Sequence, residues 1–303
     1  MAKEKKLRIA FVGQPEYFRI HYKDMLKSDE FDCTEIPIKI CTPETYSPLL
    51  YQEFDYIFFF RGEFCPESVL KNVKGKKIII SSEPFPKCST NGVISTNELY
   101  ERFTIFRKVK DMEFDYIFHY DKTSVNWLIT EGVKVNGTFE MPISSTDYGR
   151  FELAEKDWDV CFFGRSNEHR ENILGNLKRD FNVIHITHGV DEDLMCAIID
   201  RCKIVLNLNT EGVVSYNPRL AQSLAAESFV ISEHMTHHDT FTAGVDFVEC
   251  KWYDIYDTVK EMLKPENDSY RHEIASSGLR KVEEKLDCVK CWKDLIERID
   301  NDL

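Results

Sequence analysis

No apolar run in this 303-residue chain approaches the roughly 18 residues that a membrane-crossing helix needs, so no span is expected. The apolar stretch within the basic start MAKEKKLRIAFVG is short, and Gln14-Pro15-Glu16 follows it where a leader would carry small residues. It reads as a first buried strand, and a cytoplasmic location is expected. Low-complexity tracts and strict internal repeats are missing, which excludes repeat architectures. So is a disulfide framework. The ten cysteines (33, 41, 65, 88, 161, 196, 202, 250, 288, 291) are irregularly spaced, several fall inside expected core elements, and they read as reduced thiols. Cys288-Val-Lys-Cys291 has metal spacing but no second Cys or His pair, and it falls in a helical pattern. His237-His238 lacks a third ligand, so no metal site is expected.

What is present is the composition of a globular protein, 43% hydrophobic and 30% charged, long enough for one large or two medium domains. The net charge of −13 is uneven: residues 1–150 carry 21 Lys+Arg against 22 Asp+Glu, and residues 151–303 carry 18 against 30. An acidic chain argues against nonspecific nucleic-acid binding. The argument is weaker for the near-neutral first half, where Lys71, Lys74, Lys76 and Lys77, and Arg102, Arg107, Lys108 and Lys110, form basic clusters. Their ordinary reading is solvated faces.

Strands and helices alternate throughout, the pattern of parallel sheets with crossover helices. Buried strands are expected at 7–13, 33–38, 55–61, 76–82 and 114–120, with helices at 17–27, 66–72, 97–112 and 124–131 between them. A polar stretch at 144–149 reads as a linker. Beyond it come strands at 158–164, 182–187, 203–209, 229–233 and 245–248, helices at 168–179, 192–201 and 217–226, and terminal helices at 253–264, 267–286 and 289–301. The fold class is therefore α/β, with two Rossmann-like domains facing across a cleft. The first spans 1–145 and the second 150–286, and residues 287–303 form a terminal helix.

The segment Lys203 to Glu233 is the most informative. It reads as strand, polar loop, a helix opened by Asn217-Pro218-Arg219, and a second strand. An Arg at a helix N-terminus beyond the carboxyl end of a strand sits where such folds hold phosphates. Asn209, Glu211, Tyr216, Asn217 and Arg219 make this loop, and Gln222 follows one turn later. Asn217 is also an N-cap with Pro218 at the first helical position. The earlier loop Gly164-Arg165-Ser166, with Arg170 in the next helix, is a second place to cradle a diphosphate. In the first half, Arg61-Gly62-Glu63 and Ser82-Glu83-Pro84 end strands. Arg61 and Glu63 are candidates to touch an acceptor, and Glu83 and, more weakly, His21 are candidate bases.

Three passages then resemble a known family. Ser82-Glu83-Pro84 with FDYIFHYDKTSVNWLITEGVKVNGTFEMPIS, the stretch Asn217 to Ile231, and DSYRHEIASSGLRKVEEKLDCVKCWKDLI are similar to passages of CgeB-like (spore-maturation protein) glycosyltransferases of the GT-B fold. The likeness runs from about residue 55 to the C-terminus. It implies a nucleotide-sugar donor, UDP-linked by preference, bound by the second domain, an unidentified acceptor hydroxyl bound by the first, and a last helix, 287–303, that packs back on the first domain. It also implies a diphosphate neutralised by Arg165, Arg170 and Arg219 without a metal or other cofactor, and His188-Gly189 at the base. Two departures stand out: Gln222 where the family has a ribose-contacting Glu, and Glu227 where it has Gly. No E-x7-E pair can be drawn, because Glu211 lies eleven residues before Gln222. The departures make a noncatalytic nucleotide-sugar or partner-binding protein the alternative, and the basic clusters a transferase acting on a modified nucleic-acid base the further one.

Overall fold

The computed structural model describes residues 6–89, 92–144, 156–188, 190, 192–210, 217–235 and 239–301. The chain divides into two compact units, Met1–Pro142 together with Cys288–Leu303, and Ile143–Asp287. In chain order the first unit contributes β1 (Arg8–Gly13), β2 (Asp32–Pro37), β3 (Tyr56–Phe60), β4 (Lys76–Ser81), β5 (Lys87–Ser89), β6 (Gly92–Ile94), β7 (Tyr116–His119) and β8 (Gly137–Thr138). The second contributes β9 (Trp158–Phe163), β10 (Val183–Ile186), β11 (Cys202–Asn207), β12 (Val230–Glu233) and β13 (Val248–Cys250). The large sheets run β2-β1-β3-β4-β7-β8 and β10-β9-β11-β12-β13, and their ladders are parallel; β5 and β6 pair as a separate antiparallel hairpin.

Parallel strands are covered on both faces, so they read as nearly unbroken apolar runs. β3 (YIFFF) is buried along its whole length, as is the apolar end of β4. The strand order also places the sites. In each sheet the chain leaves the first strand in one direction and later strands in the other, so a topological switch lies between β1 and β3 and again between β9 and β11. The crevice beyond the carboxyl ends of such a strand pair is where open α/β sheets take ligands.

The second unit's core gathers Val160, Phe162, Leu174, Leu177, Ile204, Leu206, Ile231, Ile255, Val259 and Ile274. Helix Asp268–Lys285 packs on helix Pro218–Ala225 through Gly278, where an added Cβ would lie 2.7 Å from Leu224 Cδ2 and 2.8 Å from the Asp246 carbonyl oxygen. The last helix, Cys288–Asp300, belongs to the first unit. Its buried residues Cys288, Trp292, Leu295, Ile296 and Ile299 recur at helical spacing, the stripe expected of a core-facing helix. Trp292 is fully buried, its ring 4.7 Å from Phe58 and 5.0 Å from Phe11, and its indole N–H donates to the His21 carbonyl at 2.7 Å.

That long-range bond accompanies a departure from expectation. Residues 17–27 do not form one helix but helix Pro15–Phe18, a 3-10 turn Arg19–His21 and helix Lys23–Lys27. The His21 carbonyl, which an unbroken helix would pair with residue 25, accepts from Trp292 and from the Cys288 thiol (3.4 Å) instead. Residues 97–112 likewise open as helix Asn97–Phe106 but finish as a 3-10 turn, Arg107–Asp111.

Candidate functional site

The switch between β9 and β11 brings together two loops, the turn after Phe163 and the segment after Asn207. Gly164 closes β9 with φ +150°, and Arg219 Nη2 would lie 3.1 Å from any Cβ there, so glycine answers both to the backbone conformation and to the approach of the guanidinium. Asn217 caps helix Pro218–Ala225 by accepting from the Arg219 backbone N–H at 3.0 Å, and Pro218 occupies the first turn. Arg219 Nη1 donates to the Leu208 carbonyl (3.2 Å) and more weakly to Asn207 Oδ1 (3.5 Å), and its guanidinium lies 5.3 Å from the Phe162 ring centroid. Among the described residues no carboxylate pairs with it. Burial, and the charge of Arg170 nearby, push its pKa down to about 9. A cation left short of negative charge at the carboxyl end of a parallel sheet is a place for an anion.

Arg170 lies between the two loops. It is buried, and its donors go to the carbonyls of Arg165 (2.7 Å), Leu208 (3.0 Å) and Asn209 (3.2 Å), so it clamps the two loops together instead of presenting a free fork to a ligand. Ser166 donates to Glu171 Oε1 at 2.6 Å, and the Arg165 side chain is exposed beside it. Asn209 is held by its backbone: its N–H donates to Glu233 Oε2 (2.6 Å) and its carbonyl accepts from Arg170. Gln222 is half-buried and its side chain makes no hydrogen bond to the described residues; His188 is exposed beyond β10. Glu211, Tyr216, Gly189, His237, His238 and linker residues 145–149 lie outside the described residues.

Sequence reasoning passed over three residues here. Asn207, 1% exposed, donates to Ser232 Oγ at 2.9 Å while offering its oxygen to Arg219. Glu233, the last residue of β12, bridges the Asn209 N–H and His169 Nε2 (2.7 Å), and the His169 ring meets Trp252 edge-on at 5.9 Å. The available signal was a polar residue at the carboxyl end of an otherwise apolar strand, as in KIVLN and VISE.

Glu227 is not part of this site. It follows the helix Pro218–Ala225 in a left-handed conformation, φ +52°, and accepts from Ser276 Oγ at 2.7 Å. The Ser228 N–H to Ser223 carbonyl bond marks a helix end of the kind that favours glycine. The departure at 227 therefore concerns a backbone cap and carries no weight for donor chemistry.

In the first unit both candidate bases are already engaged. Glu83 accepts from Arg61 Nη1 (2.8 Å) with one oxygen and from Arg102 with the other. Arg61 also donates through Nε to Glu63 (2.6 Å), which is buried, and burial raises its carboxyl against the pull of Arg61. His21 is 3% exposed, bonded through Nδ1 to the Pro142 carbonyl at 2.8 Å, and burial lowers its pKa to about 4. Its surroundings give it a packing role under the last helix. Half of the basic clusters is answered by carboxylates: Lys71 pairs with Glu67, Lys74 with Glu53, Lys76 with Asp300, and Arg102 with Glu83 and Glu98, while Lys77 donates to the Leu70 carbonyl and Lys108 lies over Phe64. Among the described residues no three His, Cys, Asp or Glu side chains come together as metal ligands, and no helix is long and apolar enough to cross a membrane.

Solved structures share this architecture at low identity. Anabaena HepE in complex with UDP-glucose superposes with a TM-score of 0.63 at 9% identity, covering 97% of this chain and 100% of that one. Sucrose-phosphate synthase from Thermosynechococcus elongatus gives 0.62 at 9%, covering 98% and 100%. A UDP-forming α,α-trehalose-phosphate synthase from Burkholderia xenovorans gives 0.58 at 8%, covering 98% and 99%. No match is found among curated protein sequences. Residues 154–297, which include both loops of the β9/β11 switch, match the family described as glycosyl transferase-like. The chain is thus a protein of the GT-B fold, with a glycosyl transferase-like pattern over residues 154–297.

Proposed function

We propose that the protein transfers a sugar from a nucleoside-diphosphate sugar, UDP-linked, to an acceptor hydroxyl, as a CgeB-like glycosyltransferase. The observation that carries this reading is Arg219, a guanidinium without a carboxylate among the described residues, seated against Gly164 at the β9/β11 switch. The family match over the same segment and the UDP-glucose complex of HepE support it. In this reading Arg219 and the amino end of its helix neutralise the leaving diphosphate in place of a divalent cation. With Glu83 clamped and His21 buried, we favour retention of configuration, which can dispense with a protein base.

Arg219→Ala tests the assignment. A lost charge-assisted contact is worth ~1.5–3 kcal/mol, so calorimetry should show UDP binding weakened by ~10- to 150-fold. Unchanged UDP affinity and unchanged UDP-glucose hydrolysis would show that the donor sits elsewhere.

A second reading, nucleotide-sugar binding without turnover, is favoured by Gln222, an uncharged side chain with no partner among the described residues. Calorimetry with UDP-glucose combined with a hydrolysis assay separates the two. Binding with no hydrolysis, and no transfer to any acceptor in a panel, supports the noncatalytic reading.

A further inference from the structure

We propose that His185 is a positioning residue for the donor: from the edge strand β10 it holds the Gly164–Arg165 peptide so that the Arg165 backbone N–H and the Arg219 guanidinium serve the same anion. The identity of that anion rests on the donor reading; the geometry can be tested without a nucleotide.

A histidine inside the apolar strand VIHI is explained by its register. β10 runs parallel to β9 with His185 beside Phe162, and the two rings lie 5.2 Å apart. The same Phe162 ring meets the guanidiniums of Arg170 and Arg219, each 5.3 Å from its centroid. His185 therefore supports the wall of the anion crevice. It also reaches the turn itself, with Nε2 3.0 Å from the Gly164 carbonyl oxygen. A carbonyl only accepts, so Nε2 carries the proton, while Nδ1 faces Lys178 Nζ (3.5 Å) and Glu171 Oε1 (3.6 Å).

The direction of the next peptide N–H follows from that bond. In a trans peptide the carbonyl and the N–H point opposite ways. β9 lies between β10 and β11, so a Gly164 carbonyl aimed at His185 turns the Arg165 N–H toward the β11 side. Arg219 stands on that side, bonded to the Leu208 carbonyl and 3.1 Å from the place of a Gly164 Cβ. The Arg165 N–H makes no hydrogen bond to the described residues. Two further bonds fasten the turn without using it: the Arg165 carbonyl accepts from Arg170 at 2.7 Å, and Ser166 Oγ donates to Glu171 at 2.6 Å. Glycine is the residue that most readily lets a peptide flip, so this one needs a fastening. Without His185 the peptide is free to turn its N–H away and leave the anion to Arg219 alone.

The test titrates the full chain, isotope-labelled at arginine, with inorganic pyrophosphate and separately with UDP, by NMR and calorimetry. Saturating pyrophosphate should move the Arg165 amide resonance. His185→Leu, which has no donor, and His185→Asn, whose amide is too short to reach the carbonyl, should each weaken pyrophosphate and UDP by ~10-fold, the lower end of what a hydrogen bond to a charged group contributes. His185→Gln, whose amide nitrogen can take the place of Nε2, should stay within ~3-fold of the wild type. All three variants remove the ring, so a role confined to packing would move them alike. The proposal is overturned if folded His185→Leu and His185→Asn bind pyrophosphate as tightly as the wild type, or if His185→Gln loses as much as they do. It is equally overturned if the Arg165 amide is unmoved at saturation or if the wild type binds no pyrophosphate. Pyrophosphate binding with the expected order of variants, but no binding of UDP, would leave the positioning role standing and remove the donor reading instead.

Discussion

Arg170 and Arg219 show how the same residue type divides its labour within one crevice. Both were legible as cationic residues near carboxyl strand ends. Which of them clamps the two loops could not be read, because it depends on carbonyls of residues 165, 208 and 209, brought in by the parallel register. Glu227 carries the opposite lesson. A comparison of sequences suggests altered chemistry at that position, and the backbone shows a left-handed cap, φ +52°. A non-glycine residue there costs ~1 kcal/mol, partly offset by the bond from Ser276. Glu227→Gly is therefore expected to raise the melting temperature of the second unit slightly, by up to ~3 °C, with UDP affinity unchanged. A lower melting temperature in calorimetry would refute the cap argument.

At the scale of elements, the parallel strands were readable from unbroken apolar runs, whereas the short, exposed β5–β6 hairpin and the two-residue β8 left no such pattern. The division of residues 15–27 into three short pieces was also hidden, since it goes with a tryptophan 271 residues away in sequence. Trp292→Ala should cost ~3–5 kcal/mol in urea denaturation of the first unit, because the indole fills space among Phe11, Phe58 and Phe139 and satisfies the His21 carbonyl. A loss under ~1 kcal/mol would show that the helix is loosely held. Gly278→Ala gains helix propensity but forces a methyl against Leu224 and the Asp246 carbonyl. A net loss of ~1–3 kcal/mol is expected, and equal or greater stability would contradict the close approach.

For the molecule as a whole, acid should act first on the first unit. His21 and His119 both belong to it, both are buried, and burial lowers both from 6.5 to about 4, for His119 against Asp121 and with the help of Lys87. Between these values the unfolded chain binds protons that the folded one does not. Their contribution is complete above pH 6.5 and is lost as pH falls toward 4, by about 3 kcal/mol each. Glu63, whose carboxyl is raised by burial, works in the opposite sense. Calorimetry from pH 7 to pH 4 should show a first-unit transition moving down steeply, and His119→Gln should flatten that dependence. An unaltered slope would remove His119 from the account.

The placement of Cys288–Asp300 has one more consequence, for synthesis on the ribosome. Residues 143–287 can be complete while the aromatic face around Phe11 and Phe58 still lacks its tryptophan. The first portion of the chain to be made is therefore the last to be finished. A nascent chain halted before residue 288 would carry that apolar surface uncovered, open to chaperones or to other unfinished chains.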